Sequence, residues 1–146
     1  MSGPGIERDL ELDQLVASND VVPTIVPYAR VPQKYFFDGR PLDPLADGGD
    51  PPADWRKAID IEYLADPNEY APTYETYYGI VTADRRKYVY YTKTGEEELY
   101  DLNTDPYELQ NLAGEPGRET ELAELKEWAG AIRNCAASFC QAAENN

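Results

Sequence analysis

Two cysteines are the first residues of this chain whose type and spacing suit chemistry. Cys135 and Cys140 stand in the short run "CAASFC" near the end of the sequence. This spacing fits neither the C-x-x-C pattern of redox enzymes nor the paired cysteines of a zinc knuckle. Two alternatives remain for the pair: a local disulfide, or two separate thiols. We favour the disulfide, because a close and even pair with no metal-binding partners has few other uses.

A second candidate is the compact basic cluster of Arg85, Arg86 and Lys87. Arginine and lysine side chains bind oxyanions through charge-assisted hydrogen bonds, so an anion contact is one interpretation. The other is a solvated hairpin turn, which we favour because charge runs are usually exposed. The chain has 28 Asp and Glu against 13 Lys and Arg, a formal net charge of −15. Such a surface repels nucleic acids and anionic lipids, so neither is expected as a partner.

Histidine is absent from the sequence. This excludes histidine-based catalytic triads, histidine metal ligands and imidazole acid–base chemistry within the chain. The acidic segment "DPLADGGD", residues 43 to 50, lacks the ligand spacing of a calcium-binding loop and is predicted to be a solvated loop. We therefore predict no catalytic and no metal-binding residue. No apolar run is long enough to span a bilayer, and the first residues lack a signal peptide's apolar core, so any export address is expected outside them.

Alternating apolar residues and a high content of Tyr, Val, Ile and Thr predict four strands in the second half of the chain. Gly95 suits a hairpin turn between the last two. A helix over residues 119–133 follows, with Leu122, Leu125, Trp128, Ala129 and Ile132 on one face. The predicted fold class is α+β, a roughly four-stranded antiparallel sheet with a packed C-terminal helix. The predicted strands cover residues 58–64, 74–82, 86–93 and 97–102.

The first part of the chain predicts less regular structure. Asp20 is expected to be the N-cap of a helix with Pro23 in its first turn, and Pro27 should kink or end that helix. Residues 31–57 are rich in Pro, Gly and Asp and predict a long connection. Trp55 and Arg56 within it either line a groove or pack inward, and packing is favoured.

The stretch "EEELYDLNTDPYELQNLAGEP", residues 96–116, packs carboxylates, aromatics, a proline and a glycine together. We expect Asp105 to cap a short helix, Pro106 to occupy its first position and Glu108 to complete a capping box. Gly114 would end that helix in the left-handed conformation. Each polar residue of the stretch then has a structural role, and none is needed for catalysis.

Four segments resemble, in order, the C-terminal part of sulfatases of the arylsulfatase type, which depend on formylglycine. The resemblance implies that residues 1–57 are the tail end of a larger α/β domain and its connecting loop. Residues 58–146 would form the C-terminal antiparallel subdomain. The matching segments are "GPGI" (3–6), "LVASNDVVPTI" (15–25), "FDGRPLDPL" (37–45) and "YYGIVTADRRKYVYYTKTGEEELYDLNTDPYELQNLAG" (77–114).

The resemblance implies an enzyme that hydrolyses sulfate esters of aryl or carbohydrate substrates, with formylglycine and calcium in the missing domain. Neither Cys135 nor Cys140 lies in the C/S-x-P-S-R context of the family nucleophile. The chain is therefore expected to be inactive alone. The resemblance also implies that its partner is the upstream catalytic domain and that the protein is extracellular or periplasmic. In that setting Arg85, Arg86 and Lys87 could contact a sulfated substrate.

The alternative is a free-standing, non-catalytic binding module, for example for carbohydrate. The two hypotheses predict different surfaces. A fragment should expose an apolar surface on residues 13–45, whereas a self-contained module should bury Val21, Val22, Ile25 and Val26 against its own sheet.

Overall fold

The computed structural model describes residues 6–30, 32, 34–46, 48–65, 75–136 and 138–145. The chain divides into two compact units. Unit 1 comprises Met1–Lys57 together with Cys135–Asn146, and unit 2 comprises Ala58–Asn134. Residues 135–146 thus belong to unit 1 although they follow unit 2 in sequence. The predicted division into a domain tail (1–57) and a C-terminal subdomain (58–146) stays a prediction.

Unit 2 is built on a four-stranded antiparallel sheet in the order β1-β2-β3-β4. The predicted meander is confirmed, because each strand pairs with its neighbour in sequence. The second strand begins at Tyr77 rather than at residue 74, which lies outside the described residues. The strands are β1 (Ala58–Tyr63), β2 (Tyr77–Thr82), β3 (Arg86–Tyr91) and β4 (Glu97–Asp101).

The core of unit 2 lies between one face of this sheet and a helix formed by Glu119–Arg133, the range that the sequence predicted. Strand register places Ile80 opposite Tyr88, and Tyr88 opposite Leu99, so the three side chains share a face. All three are almost fully buried. The helix, which packs on β1, β2 and β3, contributes its own buried apolar residues. These are Leu125, Ala129 and Ile132.

The predicted short helix after Asp105 is wrong, because residues 102–118 form a series of turns. Glu108 adopts a φ of 57°, which no right-handed helix accommodates. The predicted left-handed Gly114 is also wrong: the positive φ, 89°, belongs to Gly117. Asp105 accepts a hydrogen bond from the backbone N–H of Gln110 at 2.9 Å, which closes a turn instead of capping a helix.

The turns have a different structural role, which is to cover the free edge of β4. The Asn111 side chain accepts a hydrogen bond from the N–H of Leu99 at 3.1 Å and donates one to the carbonyl of Glu97 at 3.0 Å. The N–H of Leu112 then donates to the carbonyl of Leu99 at 2.9 Å. An edge strand exposes unpaired backbone groups, and these contacts satisfy three of them.

Unit 1 consists mainly of loops with short helical segments. A 3₁₀ turn at Ser18–Asp20 leads into a helix that ends at Ile25, two residues before Pro27. Together with the helix of unit 2, the α-helices in chain order are α1 (Val21–Ile25), α2 (Asp43–Ala46), α3 (Glu119–Arg133) and α4 (Ser138–Ala143). Over the described residues, none of these helices has the length and apolar character needed to cross a membrane.

Three apolar side chains of α1 face solvent. Val21 is 49% exposed, Val22 51% and Ile25 56%, while Val26 is half-buried. Thr24 and Pro23, between them, are buried. The helix therefore turns its polar threonine inward and several of its branched apolar side chains outward, the reverse of a self-contained globular unit.

Candidate functional site

The most deeply buried ionic group of unit 1 is a four-charge cluster formed by Asp20, Arg40, Arg56 and Glu144. At its centre the Asp20 carboxylate accepts two hydrogen bonds from the guanidinium of Arg56, at 2.8 and 2.7 Å. Both side chains are 0% exposed. Asp20 is the N-cap residue of α1, as predicted, but its carboxylate makes no capping hydrogen bond to that helix and pairs with Arg56 instead.

Arg40 is the second cation of the cluster. Its Nε donates to the Glu144 carboxylate at 2.9 Å, and its two terminal nitrogens donate to the carbonyls of Asp54 and Gln141, each at 2.7 Å. The backbone N–H of Arg40 donates to the Asp20 carboxylate at 2.7 Å. One residue therefore connects both carboxylates of the cluster, through its backbone and its side chain respectively.

Gly39 explains why the sequence reads "DGR" at this point. A Cβ at this position would lie 2.2 Å from the carbonyl oxygen of Asn19 and 2.8 Å from the backbone nitrogen of Asp20. No side chain fits between two backbones at that separation. The glycine thus lets the chain approach Asp20 closely enough for the N–H of Arg40 to reach its carboxylate.

Trp55 forms one wall of the cluster. The guanidinium carbons of Arg40 and Arg56 lie 5.9 and 5.7 Å from the centre of its ring, within the range of cation–π attraction. The indole N–H donates to the carbonyl of Leu15 at 2.9 Å. These contacts agree with inward packing of Trp55 and Arg56.

Glu144 completes the charge balance of two cations and two anions. Its carboxylate also lies 3.3 Å from the Nε of Arg56. Burial raises the pKa of Glu144, Arg56 and Arg40 lower it, and the net shift is upward. The cluster is a buried network in which removing any one charge strands another, which favours a structural over a catalytic role.

The basic cluster predicted from the sequence surrounds the turn between β2 and β3. Arg85 occupies the turn with a φ of 66°, and it donates a long 3.5 Å hydrogen bond to the carbonyl of Leu102. Arg86 and Lys87 are the first residues of β3. Arg86 and Lys87 are successive residues of a strand, so their side chains point to opposite faces of the sheet, and the three basic residues lie in different environments.

Arg86 and Lys87 are both paired with carboxylates of unit 2. Arg86 forms ion pairs with Asp101 and, at 3.3 Å, with Glu121 of α3. Lys87 pairs with Glu108 in the turn region. Substrate binding by these two side chains would have to displace an internal carboxylate, so Arg85 is the cation of the three best placed for an external anion.

A third group of charges anchors α3 to the sheet. Glu97 accepts a hydrogen bond from the hydroxyl of Tyr88 at 2.7 Å and lies 3.0 Å from the ammonium of Lys126. Burial alone would raise the pKa of Glu97, but the hydrogen bonds from Tyr88 and Lys126 outweigh it and the net pKa is lowered. At the other end of the helix, Arg133 stacks 4.2 Å above the ring of Tyr78.

Asp60 on β1 is the acid with the clearest shift. The Asp60 side chain is exposed, but neighbouring atoms displace part of the water around its carboxyl group. This desolvation raises the pKa of Asp60 from 3.8 to about 6. Glu62 raises it further, and Arg133 lowers it. The raised pKa alone does not make Asp60 catalytic, because general acid–base catalysis also requires a reacting group within hydrogen-bond reach.

Cys135 and Cys140 are joined in a disulfide, with their Cα atoms 4.9 Å apart. No cysteine is therefore free to act as a nucleophile. Within the described part of the chain, no group of three or more Cys, Asp and Glu side chains is arranged to hold a metal ion.

Comparison with known proteins now assigns the chain to a family. Residues 3–134 match the family described as "N-sulphoglucosamine sulphohydrolase, C-terminal". The chain belongs to this sulfatase family. The match includes the whole sheet, α3 and most of unit 1, so the assignment rests on the fold as well as on the short motifs.

Individual sulfatases show the same relationship. The chain is 34% identical to an N-acetylglucosamine-6-O-sulfatase of Bacteroides thetaiotaomicron over 74% of its length and 20% of that protein's. It is 32% identical to a choline-sulfatase of Rhizobium meliloti, over 86% of this chain and 23% of the relative. This sulfatase chain therefore spans about a fifth to a quarter of the relatives it matches.

A solved structure gives the same result in three dimensions. The chain superposes with a TM-score of 0.64 and 32% identity on BT4656, a protein solved in complex with its substrate D-glucosamine-2-N,6-O-disulfate. The superposition covers 76% of this chain and 22% of that one. The four-stranded sheet with its packed helix is thus the C-terminal sulfatase subdomain.

Sequence reasoning missed the four-charge cluster as a unit, although it identified Asp20 as a cap and favoured inward packing for Arg56. Arg40 and Glu144 are 104 positions apart, and Asp20 and Arg56 are 36 apart, so no local pattern connects them. The only local signal was Gly39 before Arg40, since a glycine next to a charged residue can mark a close backbone approach.

Proposed function

We propose that this chain is the C-terminal portion of a sulfatase and works as part of a longer enzyme that hydrolyses sulfate esters. The missing catalytic domain would supply the formylglycine nucleophile and the calcium ion. The family match supports the reaction class, and the relatives named as N-acetylglucosamine-6-O-sulfatase and choline-sulfatase support sulfated sugars or other small sulfate esters as substrates.

The observation that carries the proposal is the outward apolar face of α1. Val21, Val22 and Ile25 are each about half exposed, and all three lie on one short helix. Contiguous exposed apolar side chains on a soluble protein mark a surface that another structure covers. The partner we propose is the upstream α/β domain of the same enzyme.

In this assembly the chain has a structural role and borders the substrate cleft. It contributes no nucleophile, because its cysteines are bridged, and its sequence contains no histidine. Contact between a sulfated substrate and Arg85, Arg86 or Lys87 stays a prediction. An extracellular or periplasmic location is also proposed, and the disulfide supports an oxidising compartment.

The first test is the mass of the native polypeptide that carries this sequence, measured in extracts of its source. We expect a mass several times the 16.4 kDa of this chain, together with sulfatase activity in the same fraction. A native species near 16.4 kDa would contradict the proposal and favour the free-standing binding module.

A second test uses the purified 146-residue chain and a chromogenic aryl sulfate, with and without calcium. No turnover is expected, because the nucleophile lies elsewhere. Turnover that survives repeated purification would refute the assignment of catalysis to the missing domain.

A matched pair of variants tests the exposed apolar face of α1. Val22→Asp should raise the solubility of the chain, whereas the same change at Leu64, an exposed residue outside that face, should have less effect.

A further inference from the structure

The last described residues of unit 1 form a C-terminal strap, defined here as residues 138–145. The strap begins with α4 and ends at the carboxylate of Glu144 and the amide of Asn145. It binds the rest of unit 1 through polar contacts with Arg40, Lys57 and Asp54. The carbonyl of Gln141 accepts from Arg40, that of Glu144 accepts from Lys57 N–H at 3.0 Å, and Asn145 Nδ2 donates to the Asp54 carbonyl at 3.0 Å.

The strap supplies half of the negative charge of the four-charge cluster. With the strap in place, Arg40 and Arg56 are balanced by Asp20 and Glu144. Without it, Asp20 alone would face two arginines, and the Arg40 side chain would keep only the Asp54 carbonyl among its present acceptors. Losing the strap therefore leaves an unpaired buried cation, which would draw water and anions into the cluster.

The strap is tied to the chain at its start by the disulfide. Cys140 lies within α4, and the N–H of Glu144 donates to its carbonyl at 3.0 Å, so the backbone of Cys140 is one helical turn from the charged group. Cys135 precedes the helix. The bridge between them fixes the direction in which α4 leaves the chain and thus directs Glu144 to the arginines.

A small reductant can reach this bridge. Both cysteines are only partly buried, and Phe139 beside Cys140 is 75% exposed. The two cysteines are separated by few residues, so reduction would cut no long loop. It would free the orientation of α4 while leaving the sheet of unit 2, which contains neither cysteine, covalently unchanged.

We propose that the Cys135–Cys140 disulfide is a redox-sensitive latch that holds the C-terminal strap, and with it Glu144, on Arg40 and Arg56. A dithiol reductant opens it by transferring two electrons and two protons. The S–S bond breaks, both cysteines become thiols, and the reductant leaves as its own disulfide. The released strap withdraws Glu144, and the two arginines become accessible to solvent. This inference concerns unit 1 alone and does not depend on the proposed sulfatase function.

Hydrogen–deuterium exchange of the 146-residue chain, before and after dithiothreitol, tests the latch. Reduction should raise the exchange rate of the peptide covering the strap at least tenfold, with little change in peptides from β2 and β3. The double variant C135S/C140S should behave as the reduced protein does without any reductant. Unchanged protection of the strap after complete reduction would overturn the proposal.

A spectroscopic readout distinguishes a disulfide that holds only the C-terminal strap from one that stabilises the whole chain. Trp55 contacts both arginines, so in a Trp128→Phe background its fluorescence reports on the cluster. We expect reduction to change this emission, and Glu144→Gln to change it in the same direction with the disulfide intact. If reduction instead unprotects the sheet peptides as well, the disulfide is a staple for the whole chain and the latch is refuted.

Discussion

Replacing Asp20 by Asn is the sharpest test of the four-charge cluster. The change keeps the shape of the side chain but removes one of two negative charges. The Asp20 carboxylate accepts four hydrogen bonds, from the backbone N–H groups of Ala17 and Arg40 and from two nitrogens of Arg56. An amide offers one acceptor oxygen where the carboxylate offers two, so it turns an N–H group toward existing donors.

The magnitude follows from burial. The Asp20 and Arg56 side chains are both 0% exposed, so Arg56 has no water to replace its lost partner. Breaking one partner of a buried ion pair costs about 3–5 kcal/mol, which is a large part of the roughly 5–15 kcal/mol that stabilises a typical domain. We therefore expect Asp20→Asn to lower the free energy of unfolding by about 3–5 kcal/mol.

Urea unfolding of the 146-residue chain measures this effect, followed by fluorescence and by circular dichroism. Asp13→Asn is the matched control, because Asp13 is an exposed carboxylate in the same unit and should change stability by no more than about 0.5 kcal/mol. If Asp20→Asn is too unstable to fold, the double change Asp20→Asn with Arg56→Gln should recover part of the loss, since it removes the stranded charge. A loss below about 1 kcal/mol for Asp20→Asn would refute the reasoning.

Three further predictions concern unit 2. Asp60→Asn should flatten the pH dependence of stability: its folded pKa, about 6, is raised above 3.8, so the contribution of Asp60 is full below pH 3.8 and is lost as pH rises through about 6. Urea midpoints between pH 4 and 7 measure this, and an unchanged slope in the variant would contradict it. Gly79→Ala should destabilise the sheet by at least about 1–3 kcal/mol, because its Cβ would lie 2.0 Å from the carbonyl oxygen of Tyr88. Gly130→Ala in α3, where nothing lies within 4 Å, is the control, and thermal melts should show it equal to or above wild type. Asn111→Ala should cost about 1–2 kcal/mol by removing two hydrogen bonds at the edge of β4, and faster amide exchange in β4 than in β2 would confirm the site of the loss.

Most of unit 2 could be predicted from the sequence because its signals are local. Alternating Tyr, Val and Ile residues specify strands, and the short turns from β2 to β3 and from β3 to β4 force these neighbours to be antiparallel. The apolar positions of α3 recur at helical spacing, so both its bounds and its buried face followed from residues 119–133. The resemblance to sulfatases likewise depended on segments that are contiguous in sequence.

The turn region after β4 shows how a local signal can mislead. Asp105, Pro106 and Glu108 have the order of a helix start, yet the structure uses them in turns. The free edge of β4 decides this, because Asn111 and Leu112 satisfy its backbone groups only when the chain runs beside the strand. A short helix has few hydrogen bonds of its own to offset that loss.

The sequence by itself determined the order of the strands, the long helix and the family, because each depends on residues that are neighbours along the chain. Only the tertiary structure decided that Asp20, Arg40, Arg56 and Glu144 form one cluster. In isolation each of these charges favours water. Burying them is energetically tolerable only when all four pair with one another. The sequence contains no local pattern that predicts contact between residues so far apart.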